Sequence, residues 1–161
     1  MVSVPASSLA QLVVVVRSDQ RHAVAATRIA AGDVIMTLGG RIVAAADRHT
    51  LQIAENEHLA AVADASGVHP AWRFLNHACE PNACLDGRRL IALFDLAPGD
   101  EVTFDYDTTE WDMAAPFACA CGALSCRRTI RGYRHLSPAQ RQRLQRVGPH
   151  LLRLAAAAQP A

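Results

Sequence analysis

Apolar residues in this chain fall in runs too short for helices, and turn residues interrupt them at close intervals. Residues 12–17, 34–38, 41–43, 89–94 and 101–104 are each β-branched or alternating in polarity, with Gly and Pro between them. The expectation is a mainly β body of several short sheets. Residues 29–35 (IAAGDVI) and 96–102 (LAPGDEV) repeat one pattern, in which Gly-Asp between apolar residues makes a tight turn that feeds a strand. Two similar β units follow, not a solenoid. The run Leu12 to Val16 reads as a buried core strand, bounded by the polar turn Arg17-Ser18-Asp19-Gln20.

With 161 residues, 51% of them apolar, the chain has material for one hydrophobic core with appendages. No basic-apolar-small leader opens it, and no apolar run approaches the ~20 residues that span a bilayer. A soluble cytoplasmic protein without membrane contact is expected. Residues 47–65 carry apolar positions at mixed spacing and read as a short helix or an irregular insert. Near the C-terminus, Ser137-Pro138 offers an N-cap with proline at the first helical position, and Leu144, Val147, Leu151 and Leu154 continue at helical spacing. Gly148-Pro149 is placed to break or bend that helix, and the Ala-rich end to fray.

Charge is balanced overall, +1 with His neutral, but uneven along the chain. The last acidic residue is Asp112. Arg127, Arg128, Arg131, Arg134, Arg141, Arg143, Arg146 and Arg153 follow it. Packing of this basic tail on the chain's own acidic body is favoured over a nucleic-acid contact, because the tail lacks interleaved aromatics. Lysine is absent throughout.

Five cysteines in a cytosolic chain suit metal ligation or catalysis better than disulfides. Cys119, Cys121 and Cys126 lie within eight residues, with Gly122 permitting a sharp turn. A closed tetrahedral thiolate site would make the metal structural zinc, and it needs a fourth ligand. Cys79 and Cys84 are the candidates.

Arg73-Phe74-Leu75-Asn76-His77-Ala78-Cys79-Glu80-Pro81-Asn82 resembles the R-F-x-N-H-x-C-x-P-N signature of SET-domain lysine methyltransferases. Gly99-Asp100-Glu101-Val102-Thr103-Phe104-Asp105-Tyr106 resembles the second signature of that family, and C-x-C-x4-C its post-SET zinc motif. The three stand in the family's order and span roughly residues 9 to 132. The resemblance implies a SET β-clip fold with pseudoknot-like threading. It implies a SET domain over 9–108, a zinc-bound post-SET segment over 109–132 and a basic helical tail over 133–161.

It also implies roles. The zinc ligands become Cys79, Cys119, Cys121 and Cys126, which leaves Cys84 over. S-adenosylmethionine would be held by Asn76 and His77, with Arg73 and Phe74 lining its pocket and Ile130 covering the adenine. Tyr106 matches the catalytic tyrosine, which orients a neutral lysine amine for in-line displacement; a phenol of pKa ~10 is a poor base at neutral pH. Phe104 occupies the family's phenylalanine/tyrosine switch and implies capacity for di- or trimethylation. The partner is a protein or peptide presenting lysine. Residues 108–117, with Trp111 and Phe117 as candidate channel walls, resemble the connecting segment of small stand-alone bacterial SET proteins.

Two elements depart from the family pattern. Arg21 and Ala23 stand where its G-x-G loop has glycines, and Thr37-Leu38-Gly39-Gly40 lacks the tyrosine and glutamate of Y-x-G-E. The alternative reading is a degenerate SET module that binds a peptide or partner without turnover.

Overall fold

The computed structural model describes residues 11–158, and in it twelve strands form five small sheets. In chain order they are β1 (Leu12–Arg17), β2 (Gln20–Ala25), β3 (Val34–Thr37), β4 (Arg41–Val43), β5 (Thr50–Ala54), β6 (Glu57–Ala60), β7 (Asn76–His77), β8 (Ala83–Asp86), β9 (Arg89–Ala92), β10 (Thr103–Phe104), β11 (Phe117–Ala118) and β12 (Thr129–Ile130). The mainly β expectation holds. Two short helices, α1 (Pro138–Arg143) and α2 (Pro149–Ala157), close the described chain.

β1 and β2 form a hairpin whose turn residues Ser18 and Asp19 have φ of 48° and 65°, the left-handed pair that matches strand twist. The core placement expected for β1 is not observed. Only Leu12 is buried, while Val13 is 43% and Val16 67% exposed, because β1 pairs with β2 alone and lies at a sheet edge.

The two look-alike turns lie side by side, joined by the bridge Ile29↔Leu96. They use identical chemistry. The side chain of Asp33 accepts from the Ala30 N–H, that of Asp100 from the Ala97 N–H, and Gly32 and Gly99 take the positive φ each turn requires. Their strands feed a core in which Ile29, Leu38, Leu59, Leu90 and Val102 are almost wholly buried, each contributing about 1.5–3 kcal/mol.

Residues 47–65 form a hairpin, β5 and β6, and not a helix or irregular insert. The register shifts between Gln52 and Ala54, and this bulge destroys the period-two alternation that identifies a strand in sequence. β4 completes a sheet ordered β4-β6-β5, and here Gly40 is explained: a Cβ would lie 2.3 Å from the Ala60 carbonyl oxygen.

The C-terminal segment is two helices: the expected break occurs, and it begins at Leu144, before Gly148-Pro149. Ser137 forms a capping box with Gln140, and Leu144 ends α1 in an extended conformation. Gly148 and Pro149 start α2, which His150 docks by a 2.7 Å hydrogen bond to the Thr109 carbonyl. Helix continues through the Ala-rich run to Ala157; the last three residues lie outside the described chain. No described helix is long and apolar enough to cross a membrane.

Candidate active site and metal centre

The two motif segments meet as the parallel pair β7 and β10, with Thr103 opposite Asn76 and Phe104 opposite His77. Residues 27 positions apart thus become neighbours at one strand end. Asn82, from the first motif, locks the pair by donating to the Glu101 carbonyl at 2.8 Å and accepting the Thr103 N–H at 2.9 Å.

The side chain of Asn76 donates to Glu101 Oε1 at 2.8 Å, and the same oxygen lies 2.8 Å from His22 Nδ1. A carboxylate only accepts, so the NH2 of the amide faces Glu101. Oδ1 accepts nothing from another described residue and is free for a ligand ammonium. His22 comes from the β2 stretch where the family's glycines were expected. Ala23 there turns wholly into the core, so its methyl occupies no ligand space, and Arg21 is exposed with its guanidinium 5.3 Å from the Phe74 ring centroid. The free Oδ1 of Asn76 and the inward-turned Ala23 fit S-adenosylmethionine beside Asn76.

His77 points into the protein. Its side chain is 1% exposed, Nδ1 accepts the Tyr106 N–H at 3.2 Å, and Nε2 lies 3.2 Å from Cys79 Sγ. Accepting at Nδ1 puts the ring proton on Nε2, which donates to sulfur. Burial, then the nearby Arg127 charge, depress its pKa to about 3, so the imidazole is neutral.

Tyr106 is held from three sides. Its hydroxyl donates to the Leu75 carbonyl at 2.6 Å, and its ring meets those of Phe104, His77 and Phe117 at centroid distances of 4.8, 5.3 and 5.9 Å. Burial, with the negative Glu110 and Glu101 nearby, raises its pKa above the usual phenol range. It can orient and accept hydrogen bonds, but it cannot serve as a base near neutral pH. Tyr106 and Phe104 line a cavity of about 70 Å³ with Leu51, Trp72, Arg73 and Glu110. Trp72, whose indole donates to the Gly39 carbonyl at 2.9 Å, supplies an aromatic wall near the altered Y-x-G-E element. A larger cavity, about 570 Å³, lies instead between the cysteine cluster, Cys84 and the side chains of α1.

Cys79, Cys119, Cys121 and Cys126 come together with every sulfur within 4.8 Å of the others. A tetrahedral centre with Zn–S near ~2.3 Å places sulfurs roughly 3.8 Å apart, and Cys79 and Cys119 are 3.9 Å apart. The donor set fits structural zinc. Burial pushes the Cys79 and Cys119 thiols up, so thiolates there need a metal and hydrogen-bond donors. The His77 ring N–H and the Arg127 backbone N–H, 3.4 Å from Cys79 Sγ, are two such donors. Ile130, fully buried, packs against Cys79 and Cys119 and pairs across β12 and β11 with Phe117. Cys84 stands apart, buried on β8.

Sequence reasoning missed the buried triad that ties this cluster to the Tyr106 segment. Arg127 donates to Asp105 Oδ1 and, at 3.0 Å, to Asp107 Oδ2, and Asp107 Oδ1 accepts the Gly132 N–H at 2.9 Å. Their side chains are 9%, 5% and 0% exposed. The only signal was Asp105 and Asp107 flanking Tyr106 in the second motif. Farther out, Arg134 and His135 bind Asp112, so the basic end does pack in part on the acidic body.

The SET-domain family model matches residues 20–107, more than half of the chain. The chain belongs to the SET-domain family. It is 36% identical over 90 residues to methyltransferase flvH of Aspergillus flavus, covering 53% of this chain and 50% of that protein. To the probable histone-lysine N-methyltransferase lin-59 of Caenorhabditis elegans it is 37% identical over 113 residues, 65% of this chain and 8% of the relative. The human histone-lysine N-methyltransferase 2B is 39% identical over 77 residues, 43% of the chain and 3% of that protein. This SET-domain chain therefore spans half or less of the length of these relatives. Among solved structures, KRYPTONITE in complex with mCHG DNA and SAH aligns with a TM-score of 0.52 and 27% identity over 68% of this chain and 26% of that one.

Proposed function

We propose that this SET-domain protein transfers a methyl group from S-adenosylmethionine to a lysine side chain of a protein substrate. The observation that carries this reading is the position of Tyr106, which lines the small cavity with Phe104 while its backbone is tied through His77 to the strand end bearing Asn76. Bound S-adenosylmethionine supplies an electrophilic methyl carbon on a sulfonium. Asn76 Oδ1 would accept from its ammonium, Arg73 and Phe74 would line the pocket, and Ile130 would support the adenine side. Tyr106 would orient the amine, and Phe104 leaves the space that di- or trimethylation needs.

Residues 9–108 form the catalytic body in this reading, 109–132 the zinc-bound post-SET segment and 133–161 a basic tail. Relatives named as histone-lysine methyltransferases support a lysine-bearing protein as substrate. The resemblance of residues 108–117 to the connecting segment of small stand-alone bacterial SET proteins supports a cytoplasmic enzyme in this reading. DNA appears with one structural neighbour, and the arginines left unpaired along the tail are where it would touch this chain.

The test is isotope transfer from labelled S-adenosylmethionine to core histones and lysine-bearing peptides, with calorimetric titration of S-adenosylhomocysteine beside it. Transfer by the zinc-loaded protein, lost in Tyr106→Phe, and micromolar binding, lost in Asn76→Ala, are expected. Binding without transfer to any lysine peptide would favour the module without turnover.

A further inference from the structure

Glu110 is a buried carboxylate that methyl transfer, as described, leaves without a task. It is 8% exposed and lines the Tyr106 cavity. Oε1 accepts the Gln52 backbone N–H at 2.7 Å, and the Gln52 side chain accepts the Trp111 N–H at 2.8 Å, so the carboxylate is clamped between β5 and the segment after Tyr106. The Glu110 N–H in turn donates to the Tyr106 carbonyl at 2.9 Å. Among the described residues no arginine or histidine forms an ion pair with it.

Burial of an unpaired carboxylate costs several kcal/mol, so such a group takes up a proton or draws in a cation. The rest of the inner cavity is Leu51, Trp72, Leu75, Phe104 and the Tyr106 phenol, none of them charged at neutral pH. The charged groups facing it from the neighbouring elements are Asp47, Arg48 and His49, all exposed, and the half-buried Arg73. Asp107, the other acid close by, is already paired with Arg127. An aliphatic amine entering past this rim meets one deep carboxylate.

We propose that Glu110 receives the ammonium group of the incoming substrate amine and accepts its proton before methyl transfer. The inference rests on the methyltransferase reading for its chemistry, though not for its binding step. One N–H bond of the ammonium breaks, an O–H bond forms on Glu110, and the neutral amine keeps the lone pair. That lone pair forms the N–C bond to the methyl carbon as the C–S bond breaks, with the bonding pair passing to sulfur. Glu110 then returns its proton to water through the open rim. Burial holds its pKa at about 7, matched to proton acceptance near neutral pH.

The test titrates n-butylammonium and its neutral counterpart 1-butanol into the zinc-loaded full chain, followed by the indole N–H resonance of Trp72. The ammonium is expected to bind roughly tenfold tighter than the alcohol at about pH 8, and Glu110→Gln, which retains an acceptor for Gln52, to erase that preference. A preference that survives in the variant overturns the proposal, as does wild-type protein whose Trp72 resonance ignores the amine. Should the variant not fold, wild-type affinity decides: a roughly tenfold rise between about pH 6 and about pH 8 supports Glu110, and a flat profile rejects it. No methyl donor is present in this assay. Amine preference without any methyl transfer would defeat the enzymatic reading and leave the amine site standing; transfer with an unchanged preference would do the reverse.

Discussion

The ring Nε2–H of His77 points at the sulfur of Cys79, 3.2 Å away, and this hydrogen bond joins the cysteine cluster to the backbone of Tyr106. A donor to a metal thiolate spreads the sulfur's charge and orients it. His77→Ala is therefore expected to weaken zinc binding by about 10–100-fold, measured by competition with a chromophoric chelator. Unchanged affinity would show that the imidazole only fills space.

Arg127 neutralises two buried carboxylates at once. Removing it leaves Asp107, which is 0% exposed, without its cation. Arg127→Met should cost about 3–5 kcal/mol in urea unfolding, while a triple variant that also replaces Asp105 and Asp107 with asparagine should recover much of that loss. A single variant as stable as wild type would mean the triad is solvated.

The buried Glu110 makes stability depend on pH in a direction opposite to that of a salt-bridged acid. Desolvation raises its folded-state pKa from 4.5 to about 7. Between those values the native state holds a proton that the unfolded chain has released, so its contribution is full below the lower value and lost as pH rises through the upper. Wild type should therefore lose stability relative to Glu110→Gln over that window, by on the order of 3 kcal/mol. Urea midpoints of both proteins across the window measure it, and parallel curves would show that Glu110 is ionised throughout.

Local chemistry was legible where it acts over a few residues. The Gly-Asp turns, the Ser18-Asp19 hairpin and the Ser137 cap each depend on neighbours in the chain, and each stands where the sequence put it. The β5–β6 hairpin was hidden because its bulge breaks the alternation, and β1 was taken for core because valine content reports strand, not burial. The four clustered cysteines were legible only through motif order, since spacing alone left Cys84 as an equal candidate.

The amino-acid sequence by itself determined the strand-rich body, the turns and the set of residues able to hold zinc, because propensity and spacing are properties of short segments. Tertiary structure alone decided which groups are spent on the protein and which remain for a ligand. His77 turned both ring nitrogens inward, Asn76 kept one oxygen free, and Glu110 was carried next to Tyr106 without a counter-ion. Those outcomes depend on which distant segments supply hydrogen bonds and exclude water, and no local pattern encodes that.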